Sequence, residues 1–405
     1  CEIRPLGEGL RCHDARMTGS RAQEFSEKIL GLPTPFAITQ PGRILFGRGE
    51  AARAPALIRA FGLRGLVVHG ANPARAAWLV EAMGPETLSL PCAGEPTLTD
   101  LDAALAVTRA HRPDWVCAIG GGAALDLGKA LAALIPAPDG AMEHLEVVGR
   151  GRSLKADPLP FIAMPTTAGT GAEVTKNAVI AAEGRKVSLR DDRMVARLAI
   201  VDPALTDGCP KAVTLASGLD AVTQVIEPFV SVKATPYTDA LAHPAIGLGM
   251  QALIRLMQGE DAGARDRMAW VSLCGGLALA NAGLGAVHGF AGVIGGMTGA
   301  AHGAICGALL GPVLAVNRAA ASGVARERLD EVCAQLAEAL GTSAEEAPAG
   351  LQAWARAEGL PGLAALGVAD DSHAEIAAAA LSASSMKGNP VPLSQTALRQ
   401  VLEAA

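Results

Sequence analysis

The chain is predicted to fold as an α/β N-terminal domain with a doubly wound, mostly parallel sheet, followed by an all-α C-terminal domain, with a ligand cleft between them. Three observations predict this. Between about residues 35 and 205, short continuous apolar runs alternate with longer stretches of helical period, the pattern of strands covered on both faces by helices. After Asp202-Pro203 such runs vanish, and Ala- and Leu-rich segments of helical length continue to the end. Half of the 405 residues are hydrophobic and only 18% are charged, enough apolar surface for two ordinary cores.

Taken in order, residues 1–28 are polar and without pattern. They are expected to be a disordered N-terminal extension carrying no secretory signal. The α/β nucleotide-binding domain is placed at 29–206, with strands at Leu66–His69, Trp115–Ile119, Pro160–Met164 and Leu198–Val201 and helices at 51–61, 76–83 and 101–110. The helical domain is placed at 207–405. Inside it, the absence of Asp, Glu, Lys and Arg from Met268 to Asn317 meets a length rule for membrane spans. Dense glycine, interspersed polar residues and the lack of aromatic belts argue instead for buried helices of a soluble core.

Composition narrows the partners. A net charge of −6 with no basic run, and aromatics at only 3%, disfavour nucleic acid and anionic membrane. Eight scattered cysteines without a CxxC pair read as reduced thiols in a cytoplasmic protein.

Four segments can carry chemistry. Gly120-Gly121-Gly122-Ala123 through Asp126 and Lys129 follows an apolar strand. Glycines permit close backbone approach, and the helix opening there aims N–H groups at a phosphate; a plain strand-to-helix turn reads equally well. Pro165-Thr166-Thr167-Ala168-Gly169-Thr170-Gly171 follows another strand and offers hydroxyl and backbone donors, or merely caps the next helix through Thr170 and Glu173. Together the two loops sit where open α/β sheets bind nucleotides. In the helix 215–231, Asp220, Thr223, Gln224 and Glu227 form a polar stripe opposite a broad apolar face; taken alone, that stripe is expected to face water. His288 and His302 lie fourteen residues apart in the uncharged stretch, and imidazoles with an upstream carboxylate suit Zn²⁺ or Fe²⁺.

In this order the segments resemble the iron-containing alcohol dehydrogenase family, whose wider group includes glycerol dehydrogenase, maleylacetate reductase and dehydroquinate synthase. Pro41–Gly47, Glu95-Pro96-Thr97, the two loops, Lys176–Ile180, Ala199–Pro203, Gly218–Ala221, Leu284–Gly289, His302-Gly303 and Lys387–Pro390 carry the resemblance, from about residue 41 to the end. It implies a Rossmann-like α/β half within the dehydroquinate synthase-like fold. It implies NAD(P)H as cofactor, hydride transfer between a small alcohol and its aldehyde or ketone, and a homodimer or higher homo-oligomer. By position, Gly121, Gly122 and Ala123, with Gly120 and Asp126 beside them, would meet the pyrophosphate. Thr166, Thr167 and Thr170 would approach pyrophosphate and nicotinamide, and Asn177, Lys186 and Leu205 would line the remainder. Asp220, Gln224, His288 and His302 fall on the metal ligands, with Asp220, His288 and His302 as the catalytic set.

Three departures bear on this. Gln224 replaces a family histidine, and an amide oxygen is a weak donor for Fe²⁺ or Zn²⁺. Gly292 replaces a further histidine that serves as a proton relay. Gly70 stands where NAD-selective members carry an acidic residue on the ribose, which implies that NADP(H) is accepted. A metal-independent maleylacetate reductase-like activity, with Arg190, Arg193 or Lys387 binding substrate carboxylates, and a non-catalytic nucleotide-binding role are the competing readings.

Overall fold

Apolar strands that must be covered on both faces dictate the first half of the fold. A computed structural model describes residues 35–405, and Ile38–Ala405 forms one compact unit. The expected extension 1–28 lies outside the described residues.

Six strands, β1 (Ile44–Phe46), β2 (Gly65–Gly70), β3 (Thr87–Cys92), β4 (Trp115–Gly120), β5 (Phe161–Pro165) and β8 (Leu198–Val201), form a wholly parallel sheet in the order β1-β8-β5-β4-β2-β3. Successive side chains take opposite faces. Leu66, Val68, Val116, Ala118, Phe161 and Ala163 enter one core, and Val67, Trp115, Cys117, Ile119, Ile162 and Met164 enter the other. Helices α1 (Ala54–Ile58) and α2 (Ala74–Met83) supply residues to the second core. Helices α3 (Leu98–His111) and α4 (Gly122–Leu134) cover the first. Gly128 of α4 lets the helix settle on the sheet, since a Cβ there would stand 2.7 Å from that of Ala118.

The sequence reading found β2, β4, β5 and β8 and missed three pieces. β1 has only three residues, β3 carries Pro91, and β6 (Asn177–Ala182) pairs antiparallel with β7 (Arg185–Arg190) as a separate hairpin. Residues 51–61 form a short α-helix flanked by 3₁₀ turns rather than one helix.

The helical half comprises α5 (Lys211–Val230), α6 (Pro236–Gln258), α7 (Ala262–Ala282), α8 (Ala286–Thr298), α9 (His302–Ala320), α10 (Gly323–Leu340), α11 (Ala347–Ala357), α12 (His373–Leu381) and α13 (Gln395–Ala404). The uncharged stretch is divided among α7, α8 and α9, with a 98° bend between the first two. By length and composition α6 and α9 are long enough to cross a membrane; in this fold their apolar faces pack on neighbouring helices, and α5 contacts α6, α7 and α9. That surrounding overturns the expectation for the polar stripe. Asp220, Thr223, Gln224 and Glu227 are all buried, because every side of α5 from Gly218 onward is covered. A polar stripe held away from water needs partners.

Candidate active site

The strand order places a crevice. β3 lies on one side of β2 and β4 on the other, so the connections diverge beyond the carboxyl ends of β2 and β4, where open sheets of this type take ligands. β2 ends in Gly70 and β4 in Gly120. A Cβ on Gly120 would lie 2.6 Å from that of Ala124 and 3.2 Å from the Gly70 nitrogen, so only glycine lets these ends approach.

The two donor-rich loops meet here. The Thr166 N–H donates to the Gly120 carbonyl at 2.9 Å, and a Cβ on Gly122 would sit 2.8 Å from Thr170 Cγ2. Gly121 faces Thr167 in the same way. The first turn of α4 has no side-chain cap, which leaves its N–H groups for an anion. Thr170 and Glu173 make no capping box: Gly171–Val174 is a 3₁₀ turn, with Thr170 Oγ1 accepting from the Ala172 N–H at 3.4 Å.

Lys129 explains how the loop is held. Its buried ammonium donates to the Ala172 carbonyl, Thr175 Oγ1 and the Asn177 carbonyl. Burial pushes its pKa down to about 8 against the pull of Asp126 and Glu173. Burial also raises Asp126 to about 6, against Lys129 and a backbone bond from Val179, and raises Glu173 to about 7. Lys129 therefore clamps the threonine loop and the β6 edge onto α4.

The other predicted cofactor residues are more dispersed. Asn177 joins the cluster through its carbonyl. Lys186 lies with its Nζ 3.3 Å from Glu95 Oε1 and close to Gly295 of α8. Leu205 packs with the core on the opposite sheet face.

Opposite, three helices deliver the second cluster. Gly169 packs against Ser217 of α5, and Gly303 permits α9 to start against the Ala216 carbonyl, 2.4 Å from where its Cβ would be. His288 Nε2 lies 3.3 Å and His302 Nε2 3.8 Å from Asp220 Oδ1. The two rings stand 5.3 Å apart. His288 Nδ1 bonds Glu227 Oε2 at 2.7 Å, and Glu227 Oε1 accepts the Val287 N–H at 2.7 Å. Asn389 Oδ1 accepts the Ala286 N–H. α8 is therefore capped by two side chains from elsewhere, although its own N-cap is Gly285. The Asn389 role absorbs the Lys387–Pro390 segment.

Two residues of this cluster escaped sequence reasoning. Cys306 Sγ lies 3.9 Å from His288 Nε2 and 3.7 Å from His302 Nε2. Glu227 orients His288. Both sit at helical spacing from a recognised residue, Cys306 four after His302 and Glu227 seven after Asp220, and that spacing was the available signal.

Electrostatics single out the same place. Burial is the largest influence on each group and would push both imidazoles down. Interactions with Cys306, Glu227 and Asp220 outweigh it, holding His288 well above the ordinary imidazole range and His302 at about 9. Burial likewise raises Asp220, yet the His302 charge and the nearness of His288 and Gln224 leave it below the usual carboxylate range. Asp220 Oδ1 and Gln224 Oε1 are buried without a hydrogen bond; the 3.3 Å approach of His288 lacks hydrogen-bond geometry. Gly292 faces open space and offers no side chain at the position of the expected relay histidine. Arg190 is paired with Glu146, and Arg193 with Asp191 and Asp157, so neither is available as an anchor for substrate carboxylates.

A glycine- and threonine-lined crevice, packed on helices that bring two imidazoles to a carboxylate, defines a nucleotide-dependent enzyme with a metal or acid–base centre. Known proteins are similar to it over most of the chain. The family profile for iron-containing alcohol dehydrogenases matches residues 41–203, and its C-terminal counterpart matches 214–405. The probable alcohol dehydrogenase EutG of Escherichia coli is 34% identical over 312 residues, covering 75% of this chain and 76% of that protein. The NAD-dependent methanol dehydrogenase of Bacillus methanolicus is 32% identical, covering 77% and 82%. The crystal structure of the iron-containing alcohol dehydrogenase of Thermococcus thioreducens superposes with a TM-score of 0.80 at 26% identity, covering 91% and 99%. The chain belongs to the iron-containing alcohol dehydrogenase family, and it is an alcohol dehydrogenase.

Proposed function

We propose that the enzyme interconverts a small alcohol and its aldehyde or ketone with NAD(P)H and a divalent cation, Fe²⁺ or Zn²⁺, at Asp220, His288 and His302. The observation that carries this reading is the arrangement around Asp220 Oδ1. Glu227 Oε2 accepts the Nδ1–H of His288, which leaves Nε2 aimed at a carboxylate oxygen that has no hydrogen bond. Their 3.3 Å separation fits a cation, which would displace the second imidazole proton on binding. His302, whose side chain is 29% exposed, opens the cluster toward the crevice.

Asp220 Oδ1, His288 Nε2 and His302 Nε2 would hold the cation, which acts as a Lewis acid on the substrate oxygen and lowers the alcohol's pKa. The protein's own residues do the rest. The N-terminus of α4, with Gly120, Gly121, Gly122 and Ala123, binds the pyrophosphate. Thr166, Thr167 and Thr170 supply further donors, and Asn177, Lys186 and Leu205 border the site. Orientation is what this would contribute: a cofactor held there would meet a carbonyl at Asp220, His288 and His302 without a search. Glu227 fixes the tautomer and tilt of His288.

The test is oxidation of NADPH and NADH against a panel of small aldehydes and ketones, with metal content measured before and after chelation. Turnover that falls with metal removal supports the reading; no turnover with any carbonyl refutes it. Cofactor choice has its own test. Gly70 faces open space, so Gly70→Asp is accommodated, and its carboxylate repels a 2′-phosphate. Its kcat/KM for NADPH is expected to fall at least about tenfold, with NADH retained or improved.

The same reading places the enzyme in the cytoplasm as a homodimer or higher homo-oligomer. Buried free thiols support the first. The exposed Phe46–Trp270 pair beside the open edge of β1 supports the second.

A further inference from the structure

We infer that Cys306 is a thiolate ligand of the cation in place of Gln224, with the substrate oxygen free to enter as a further ligand. The inference rests on the metal assignment above and deepens it. Asp220, His288, His302 and Cys306 each offer one ligand atom, all within 4.8 Å of one another. Metal bonds of about 2.0–2.1 Å to nitrogen and oxygen and about 2.3 Å to sulfur give tetrahedral edges of about 3.3 Å between N/O donors and about 3.6 Å between nitrogen and sulfur. The four resolved edges are 3.3 Å, 3.8 Å, 3.9 Å and 3.7 Å. They exceed those edges by no more than half an ångström, an inward adjustment small side-chain rotations supply.

Gln224 plays a different part. It lies against Asp220 and helps hold that carboxylate below the usual range, while its own Oε1 is buried without a partner. The burial of Cys306 is complete, and its sulfur touches both imidazoles, so its polar surroundings are those of the cluster itself. Asp220 Oδ1, 99% buried and unpartnered, points into the same volume. Two carboxylate and thiolate charges with two neutral imidazoles neutralise a divalent cation, and sulfur shifts preference toward Zn²⁺ over oxygen-favouring ions.

Cobalt reads this directly, because Co²⁺ bound to thiolate shows a sulfur-to-metal charge-transfer band in the near ultraviolet. Purified protein is stripped of metal, titrated with Co²⁺ alone and compared with C306S and Q224A. The wild type and Q224A are expected to show the band and C306S to lose it, with C306S needing at least about tenfold more Co²⁺ for half-saturation. Wild-type protein that binds Co²⁺ without the band, or C306S that retains it, overturns the thiolate assignment while leaving the alcohol dehydrogenase reading intact. Wild-type protein that binds no Co²⁺ overturns both this assignment and the metal site of the proposed function. The wild-type spectrum decides the matter even if C306S folds poorly.

Discussion

Replacing Asp220 by alanine is expected to lower kcat/KM for an aldehyde by about 10³-fold or more while changing NAD(P)H affinity by only a few-fold. The separation follows from placement. Asp220 lies on α5 and touches His288, His302 and Gln224, whereas the pyrophosphate cradle is built from β2, β4 and the start of α4. Without the carboxylate, the imidazoles keep only Glu227 as a counter-charge on α5, and the cation loses its hardest donor. Metal analysis and cofactor titration by fluorescence check the two halves. Asp220→Asn is the control for shape: it keeps the volume and is expected to lose nearly as much turnover, because the missing element is charge. Wild-type turnover in both variants would remove this cluster from the chemistry.

The second large effect is structural. Gly171→Ala is expected to cost more than about 2 kcal/mol of stability and to weaken cofactor binding at least about tenfold. Gly171 has φ +59°, a left-handed conformation that an alanine adopts at a cost, and its Cβ would lie 2.4 Å from the Cα of Gly276 in α7. The neighbour is backbone and has no rotamer to yield. Either the loop lifts or α7 moves, and the loop carries Thr167 and Thr170. Urea denaturation and NADPH titration measure the two consequences. An unchanged midpoint would mean that the loop is not seated on the helix as described.

Much of this architecture was legible because parallel strands announce themselves: Trp115–Ile119 and Phe161–Met164 are apolar at every position, as burial on two faces demands. The hairpin was less visible. Asn177–Ala182 alternates in burial, a weak signal in an Ala-rich segment, although Glu183 and Gly184, both with positive φ, mark its turn. Periodicity gave the polar stripe of α5 correctly but not what covers it; a sequence displays a face, and only packing decides whether water or a neighbouring helix meets it. Hence Asp220, His288 and His302 came from resemblance to a family, while Glu227 and Cys306 emerged only when three helices were brought together. Gln224 shows the limit of positional transfer. It occupies a ligand's place, yet a neutral amide beside a buried carboxylate is better suited to hold that carboxylate than to bind a cation.

Glu227 serves two masters with a single carboxylate, one oxygen on the Val287 N–H and the other on His288 Nδ1. Helix seating and imidazole aim are thereby mechanically coupled: whatever loosens that end of the rod also swings the ring. Heating should thus release the ion before the fold melts, and the temperature at which activity fails should track metal retention more closely than global unfolding.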